Sequence, residues 1–125
     1  MEAQRRASVE LPAATTAPRD ARRFTARTLR DWGADHATEE AELIVSELVT
    51  NAFRHADSPS RLALSMNGEC LRIEVVDHGS GGAVRRHARP DDVGGRGLLL
   101  VEIMADRWGA RRDGQEHVVW CEIAL

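Results

Sequence analysis

The sequence predicts an α+β fold, a two-layer sandwich in which a mostly antiparallel sheet carries its helices on one face. Two observations favour this arrangement. Apolar residues recur at helical spacing between about residues 19 and 55, and beyond residue 60 they alternate along short segments. The alternating segments are paired across hairpin-type turns, which join antiparallel strands. The length of 125 residues suits a single domain with one core.

The first residues differ in composition from the rest of the chain. Residues 1–18 are rich in Ala, Thr and Pro, and we expect a mobile leader in which Ser8–Leu11 could add one edge strand. Residues 19–125 carry the other periodic segments and form the predicted domain. No apolar stretch follows the early arginines, so a secretory signal is not expected.

Two helices follow the leader. Residues 19–33 show a basic amphipathic pattern that ends at Gly33, and its apolar residues can share one face: Phe24, Leu29 and Trp32. Thr38 can cap a second helix, whose acidic first turn complements the helix dipole. This second helix ends near His55, and its apolar residues recur at helical spacing: Ala41, Ile44, Val45, Leu48 and Ala52.

After the helices the apolar period changes from helical to alternating. Residues 62–66 and 71–75 predict two strands that are joined by the hairpin turn Asn67-Gly68. Two closing strands, Trp108–Arg112 and Val118–Ile123, are predicted at the end of the sequence. They flank a second turn, at residues 113–114, so hairpins dominate the predicted sheet.

A loop and a helix lie between the two hairpins. Residues 77–97 are rich in glycine and arginine and show no period, and such a long loop inside a compact domain usually has a function. Leu98–Asp106 predicts a third helix. Its apolar run is interrupted by Glu102 and is far too short to span a bilayer, so no membrane association is expected.

Composition excludes several classes of function. The formal net charge is −3, and there are only two Phe and three Trp and no Tyr, so direct binding of nucleic acid is not expected. Every basic residue is arginine, which excludes lysine nucleophiles and lysine-containing phosphate loops. The histidines lack metal-ligand spacing. Cys70 and Cys121 form no disulfide framework, which favours a cytoplasmic location, and both are typical of small apolar strand residues.

Three polar residues form a row on the second helix. Glu47 and Asn51 lie four positions apart and therefore share a face, and His55 continues the row. The row is typical of a solvated polar face. It is also what a site would need if a carboxylate polarises a hydroxyl or water and an amide oxygen helps to hold magnesium, which prefers hard oxygen ligands.

Two glycine-containing segments could contact a ligand. Asp77–Gly82 follows a predicted strand, and its carboxylate could accept a hydrogen bond from an exocyclic amine, although a flexible turn would have the same composition. Gly94–Gly97 leads into the third helix, where free N–H groups favour an anion. A dinucleotide-binding fold would need a strand before these glycines, and a loop precedes them instead.

The order of these motifs is more specific than each of them. The motifs occur in this order: a helix with Glu-x-x-x-Asn, a strand ending in Asp-x-Gly-x-Gly, a loop, and Gly-x-Gly-Leu at a helix start. This order resembles that of the GHKL ATPase superfamily, whose nucleotide site is called the Bergerat fold. The flanking residues resemble its stand-alone anti-sigma factor and serine-protein kinase branch in bacteria: Ser46–Ala56, Gly95–Glu102, Ala105–Gly109 and Val119–Glu122. The resemblance extends from about residue 8 to residue 125 and implies a histidine-kinase-like ATPase domain.

The resemblance implies a role for each matching residue. Glu47 would act as the general base or position a water, Asn51 would ligate magnesium, and Asp77 would accept a hydrogen bond from the adenine amine. The other implied nucleotide contacts are Gly79 and Gly81 beside the adenine, Gly95, Arg96 and Gly97 at the phosphates, and also His55 and Leu98.

Two features depart from the pattern of the superfamily. A hydroxyl residue often lies near the adenine on the last strand, and the motif match places Val118 there. The implied lid, residues 82–94, is short and rich in arginine. Its arginines are typical of solvated charged residues in a loop. They could also neutralise the charge of the phosphates, a role that lysine often has in other proteins.

The resemblance finally implies a function. The chain would bind ATP and magnesium, phosphorylate a serine or threonine of an anti-sigma factor antagonist of the STAS type, and sequester a sigma factor. A homodimer is left open. The alternatives are a nucleotide-dependent protein-binding module without kinase activity and an orphan regulator with no sigma factor partner. A complete histidine kinase is not expected, because no dimerisation helix with an acceptor histidine is found.

Overall fold

The computed structural model describes residues 4–55, 58–78 and 101–125. The elements in chain order are β1 (Arg5–Leu11), α1 (Ala17–Asp31), a 3₁₀ turn (Asp35–Ala37), α2 (Thr38–His55), β2 (Ser60–Asn67), β3 (Cys70–Asp77), β4 (Arg107–Asp113) and β5 (Glu116–Ala124). Residues 101–104 are helical. The strands form one sheet in the order β1-β2-β3-β5-β4, and each described pairing is antiparallel.

The helices pack on one face of this sheet, which confirms the predicted α+β sandwich. Helix α2 contacts β2 and β3, α1 contacts β1, and the two helices pack along each other. The sheet residues that face the helices are buried: Leu62, Leu64, Leu71, Ile73, Val75, Cys121 and Ile123. Full burial of one aliphatic side chain contributes about 1.5–3 kcal/mol, so this layer supplies much of the stabilisation of the fold.

The apolar stripe predicted for α2 is buried, whereas on the face predicted for α1 only Leu29 is buried, and Phe24 and Trp32 are partly buried against the core. The ends of both helices have local causes. Gly33 has a φ of +73°, a conformation that glycine adopts without strain, and it ends α1. Thr38 is not the cap that the sequence predicts. Its φ and ψ of −61° and −46° are already helical, because the 3₁₀ turn Asp35–Ala37 leads directly into α2.

Strand β1 is longer than the predicted edge segment. It spans Arg5–Leu11 and pairs with β2 from Arg5 opposite Met66 to Leu11 opposite Ser60. Its outer edge faces no other described strand, so charged side chains are tolerated there. Residues 1–18 therefore include a strand of the sheet rather than only a leader, and α1 already begins at residue 17.

The face of the sheet away from the helices carries a charged and aromatic cluster. The guanidinium of Arg72 lies 4.3 Å from the centre of the Trp120 ring and 2.9 Å from oxygens of both Glu74 and Glu122. Partial burial lowers the pKa of Arg72, but the hydrogen bonds to the two glutamates outweigh this and raise its pKa above the usual value. The cluster links β3 and β5 on the face of the sheet away from the helices.

Gly109 makes room for the Trp120 ring. A Cβ atom at this position would lie 2.9 Å from ring atoms of Trp120, which is the cross-strand partner of Gly109. We therefore expect Gly109→Ala to lower the free energy of unfolding by about 1–3 kcal/mol, the usual cost of overpacking. Denaturant titration measures this loss. In a Trp120→Leu background the same change should cost clearly less, and an equal cost would show that the ring is not the cause.

Asp106 fixes the start of β4. Its Oδ2 accepts a 2.7 Å hydrogen bond from the backbone N–H of Ala124, and its own N–H donates to the carbonyl of Glu122 at 2.9 Å. These bonds hold the chain against β5 where it leaves the preceding helix. Within the described part of the chain, no helix has both the length and the apolar character needed to span a membrane.

Candidate functional site

The polar row on α2 lies at the border of its buried stripe. Glu47 and Asn51 are both half-buried, as are Glu42 and Thr50 on the same helix. Leu43, one turn before Glu47, is 45% exposed, so the polar residues rather than this leucine occupy the sheltered position. The fully buried stripe of α2 is apolar, as in an ordinary amphipathic helix, and the half-buried polar row lies beside it.

His55 is the last residue of α2, which places its backbone at the end of the helix next to β2. Its implied nucleotide contact stays a prediction. The other residues implied to contact the nucleotide lie outside the described residues: Gly79, Gly81, Gly95, Arg96, Gly97 and Leu98. The lid over residues 82–94 lies outside them as well.

Asp77 is a buried carboxylate at the end of β3. Its side chain belongs to the helix-facing set of that strand, in phase with Ile73 and Val75, and the residue is only 2% exposed. A buried carboxylate normally has partners, because burial without them is costly. One of its neighbours is His117, whose Nδ1 lies 3.5 Å from the Oδ2 of Asp77.

The sheet register shows which residue of β5 lies opposite Asp77. The Cα partner of Asp77 is His117, and Val118 pairs with Val76. Because side chains alternate along a strand, Val118 faces the opposite side of the sheet from Asp77. The residue of the last strand that shares the face of Asp77 is therefore His117, which the sequence analysis missed, and not Val118, to which the motif match pointed.

The two cysteines behave as apolar strand residues. Burial raises the pKa of the Cys121 thiol to about 12, and burial together with the charge of Glu122 raises the pKa of Cys70. Thiols with raised pKa values are poor nucleophiles near neutral pH. Among the described residues, no group of three or more His, Cys, Asp or Glu could hold a metal ion.

The family assignment follows from comparison with known proteins. The chain belongs to the histidine kinase-like ATPase domain family, whose model matches residues 11–123. This match confirms the superfamily that the motifs resemble and makes the chain an ATP-binding domain. No curated protein sequence matches the chain.

Two solved structures share the fold. The crystal structure of the RsbU and RsbW domains of Rv1364c from Mycobacterium tuberculosis superposes with a TM-score of 0.74 at 21% identity, covering 95% of this chain and 32% of that one. The histidine kinase AdeS of Acinetobacter baumannii gives 0.55 at 12% identity, covering 97% of this chain and 68% of that one. This chain therefore spans about a third of the length of the mycobacterial structure.

Proposed function

We propose that this protein binds ATP with magnesium and transfers a phosphoryl group to a serine or threonine of an anti-sigma factor antagonist. The observation that best supports this proposal is the buried carboxylate of Asp77 on the face of the sheet that packs against the helices. Helix α2 packs on the same face and carries the half-buried Glu47 and Asn51. Membership of the histidine kinase-like ATPase domain family supports nucleotide binding, and the motif resemblance assigns the adenine contact to Asp77.

The side chains have separate roles in this proposal. Asp77 accepts a hydrogen bond from the adenine amine, which selects adenine over bases that carry a carbonyl there. Glu47 takes the proton from the attacking serine hydroxyl as its oxygen bonds to the γ-phosphorus and the bond to the β-phosphate breaks. Asn51 lies one helical turn beyond Glu47 and offers an amide oxygen.

The donor chemistry of α2 fits magnesium. Asn51 carries a hard amide oxygen one helical turn from Glu47, and magnesium usually takes one or two protein ligands and shares the rest with phosphates and water. A bound magnesium ion would neutralise charge on the phosphates during transfer. The protein supplies the position of the oxygens, because both residues lie on the same regular helix.

The proposed partners follow from the resemblance in the motifs. They are an antagonist protein of the STAS type as phosphate acceptor and a sigma factor as the sequestered protein, in the cytoplasm. The fold shared with a structure that contains an RsbW domain supports this branch of the family. A second copy of the chain as a partner stays a prediction.

Transfer of labelled phosphate tests the proposal. The protein is incubated with γ-labelled ATP, magnesium and the antagonist that co-purifies with it, and label on a serine or threonine of the antagonist is expected. Binding of a sigma factor without any transfer to an antagonist would contradict kinase activity. That result would favour the binding-module alternative.

Asn51→Ala is expected to weaken ATP binding mainly when magnesium is present, because the lost oxygen is a ligand of the metal. Calorimetric titration with magnesium and with a chelator measures both affinities. Thr50→Ala, at the neighbouring position of the same helix, is the control and should change neither. Equal losses with and without magnesium would show that Asn51 acts only through packing.

A further inference from the structure

His117 is the residue that the sheet brings opposite Asp77. The two are Cα partners across β3 and β5, and the Nδ1 of His117 lies 3.5 Å from the Oδ2 of Asp77. The histidine side chain is 22% exposed, but its Nδ1 atom is buried and has no hydrogen-bond partner among the described residues. A buried ring nitrogen thus lies close to the carboxylate that the proposed function assigns to the adenine.

The separation is slightly longer than a hydrogen bond. An N–H···O bond spans 2.7–3.2 Å, so a shift of a few tenths of an ångström would close it. An Nδ1–H donor can satisfy one carboxylate oxygen and leave acceptor sites on the other, because an ionised carboxylate accepts at about four positions. The χ2 torsion angle of an aspartate is also broad and roughly two-fold, and a hydrogen-bond donor at one carboxylate oxygen narrows the range of χ2 values.

We propose that His117 is a positioning residue for base selection, which holds the Asp77 carboxylate so that an oxygen faces the adenine amine. The proposal rests on the proposed binding of ATP at Asp77. Its consequence is specific: loss of the donor reduces the preference for a 6-amino purine, whereas general damage to the site weakens all nucleotides alike. Inosine triphosphate, which carries a carbonyl in place of the amine, separates these two effects.

Three substitutions test the donor. His117→Leu removes it. His117→Asn keeps an N–H at the same number of bonds from Cα as Nδ1. His36→Leu is the matched control, because His36 is an exposed histidine in the 3₁₀ turn Asp35–Ala37, outside the segments that are implied to bind the nucleotide. Dissociation constants for ATP and ITP are measured by calorimetric titration on the full chain, with thermal melting of each variant.

We expect His117→Leu to weaken ATP binding by about threefold to tenfold, the range of one net hydrogen bond, with ITP binding unchanged. His117→Asn and the control His36→Leu should keep the ATP preference of the wild type. If the leucine variant does not fold, His117→Gln replaces it. The glutamine amide lies one bond further out, so we expect the preference to fall as well.

The outcomes distinguish this inference from the proposed function. A wild-type protein without preference for ATP over ITP overturns the assignment of Asp77 and the role of His117 together. A preference that Asp77→Asn abolishes and His117→Leu leaves intact overturns the role of His117 alone. An equal loss of ATP and ITP affinity in His117→Leu also overturns it, because that pattern indicates a structural role.

Discussion

Replacing Glu47 by alanine is expected to lower phosphate transfer to a partner serine about a hundredfold while ATP binding stays within a few fold. A general base contributes about 10²–10⁴-fold. Phosphoryl transfer depends mostly on positioning and electrostatics, which favours the lower part of that range. Glu47 is half-buried at the border of the α2 stripe, one turn before Asn51, where its carboxylate could reach a hydroxyl beside the phosphates.

Glu42→Ala is a matched control for this variant. Glu42 is also a half-buried glutamate on α2, but it lies five residues earlier and points about 140° away around the helix. Transfer is measured in single-turnover experiments with saturating ATP, so that affinity does not contribute. Equal rates for the wild type and Glu47→Ala would remove Glu47 from the chemistry, even if transfer itself is observed.

The second large effect is expected at the base of the nucleotide. Asp77→Asn turns one acceptor oxygen into a donor, which faces the donor hydrogens of the adenine amine. A charge-assisted hydrogen bond contributes roughly 1.5–3 kcal/mol, so ATP affinity should fall about tenfold or more. Calorimetric titration gives the affinity, and thermal melting verifies that the variant is folded.

Asp113→Asn provides the comparison for Asp77. Asp113 also lies at a strand end and pairs with Arg111 at 2.9 Å, but it is exposed at the edge of the sheet. The same change of charge there should leave ATP affinity unchanged. Unaltered ATP affinity in a folded Asp77→Asn protein would contradict the assignment of the adenine contact.

Local patterns were sufficient for most of the fold. The alternation in residues 62–66 and 71–75 and the turn at Asn67-Gly68 predict a hairpin, and β2 and β3 form it, with Gly68 at a φ of +55°. The helical spacing from Ala41 to Ala52 predicts a buried stripe, and those residues are buried. These features depend on neighbouring residues only, so a single sequence contains the information.

Properties set by distant residues were harder to predict. Whether Glu47 is solvated or sheltered depends on how α2 packs on the sheet, and the sequence left both interpretations open. The contact of Asp77 with His117 depends on the register between β3 and β5, and a slip of one residue exchanges the two faces. The motif match could not fix that register, which is why it pointed to Val118.

The strand order also governs how the chain acquires its structure. Two pairings close long connections, that of β1 with β2 across residues 12–59 and that of β3 with β5 across residues 78–115, whereas the paired strands β2 and β3, and likewise β4 and β5, are neighbours along the chain. Pairing of sequence neighbours is fast, whereas closure of long loops is slow. The hairpins β2–β3 and β4–β5 therefore form from neighbouring segments, and the pairing of β3 with β5 joins them. Asp77 and His117 come from different hairpins, so the proposed base-recognition site is completed only when these two strands pair, and nucleotide binding would draw the folding equilibrium toward the paired chain.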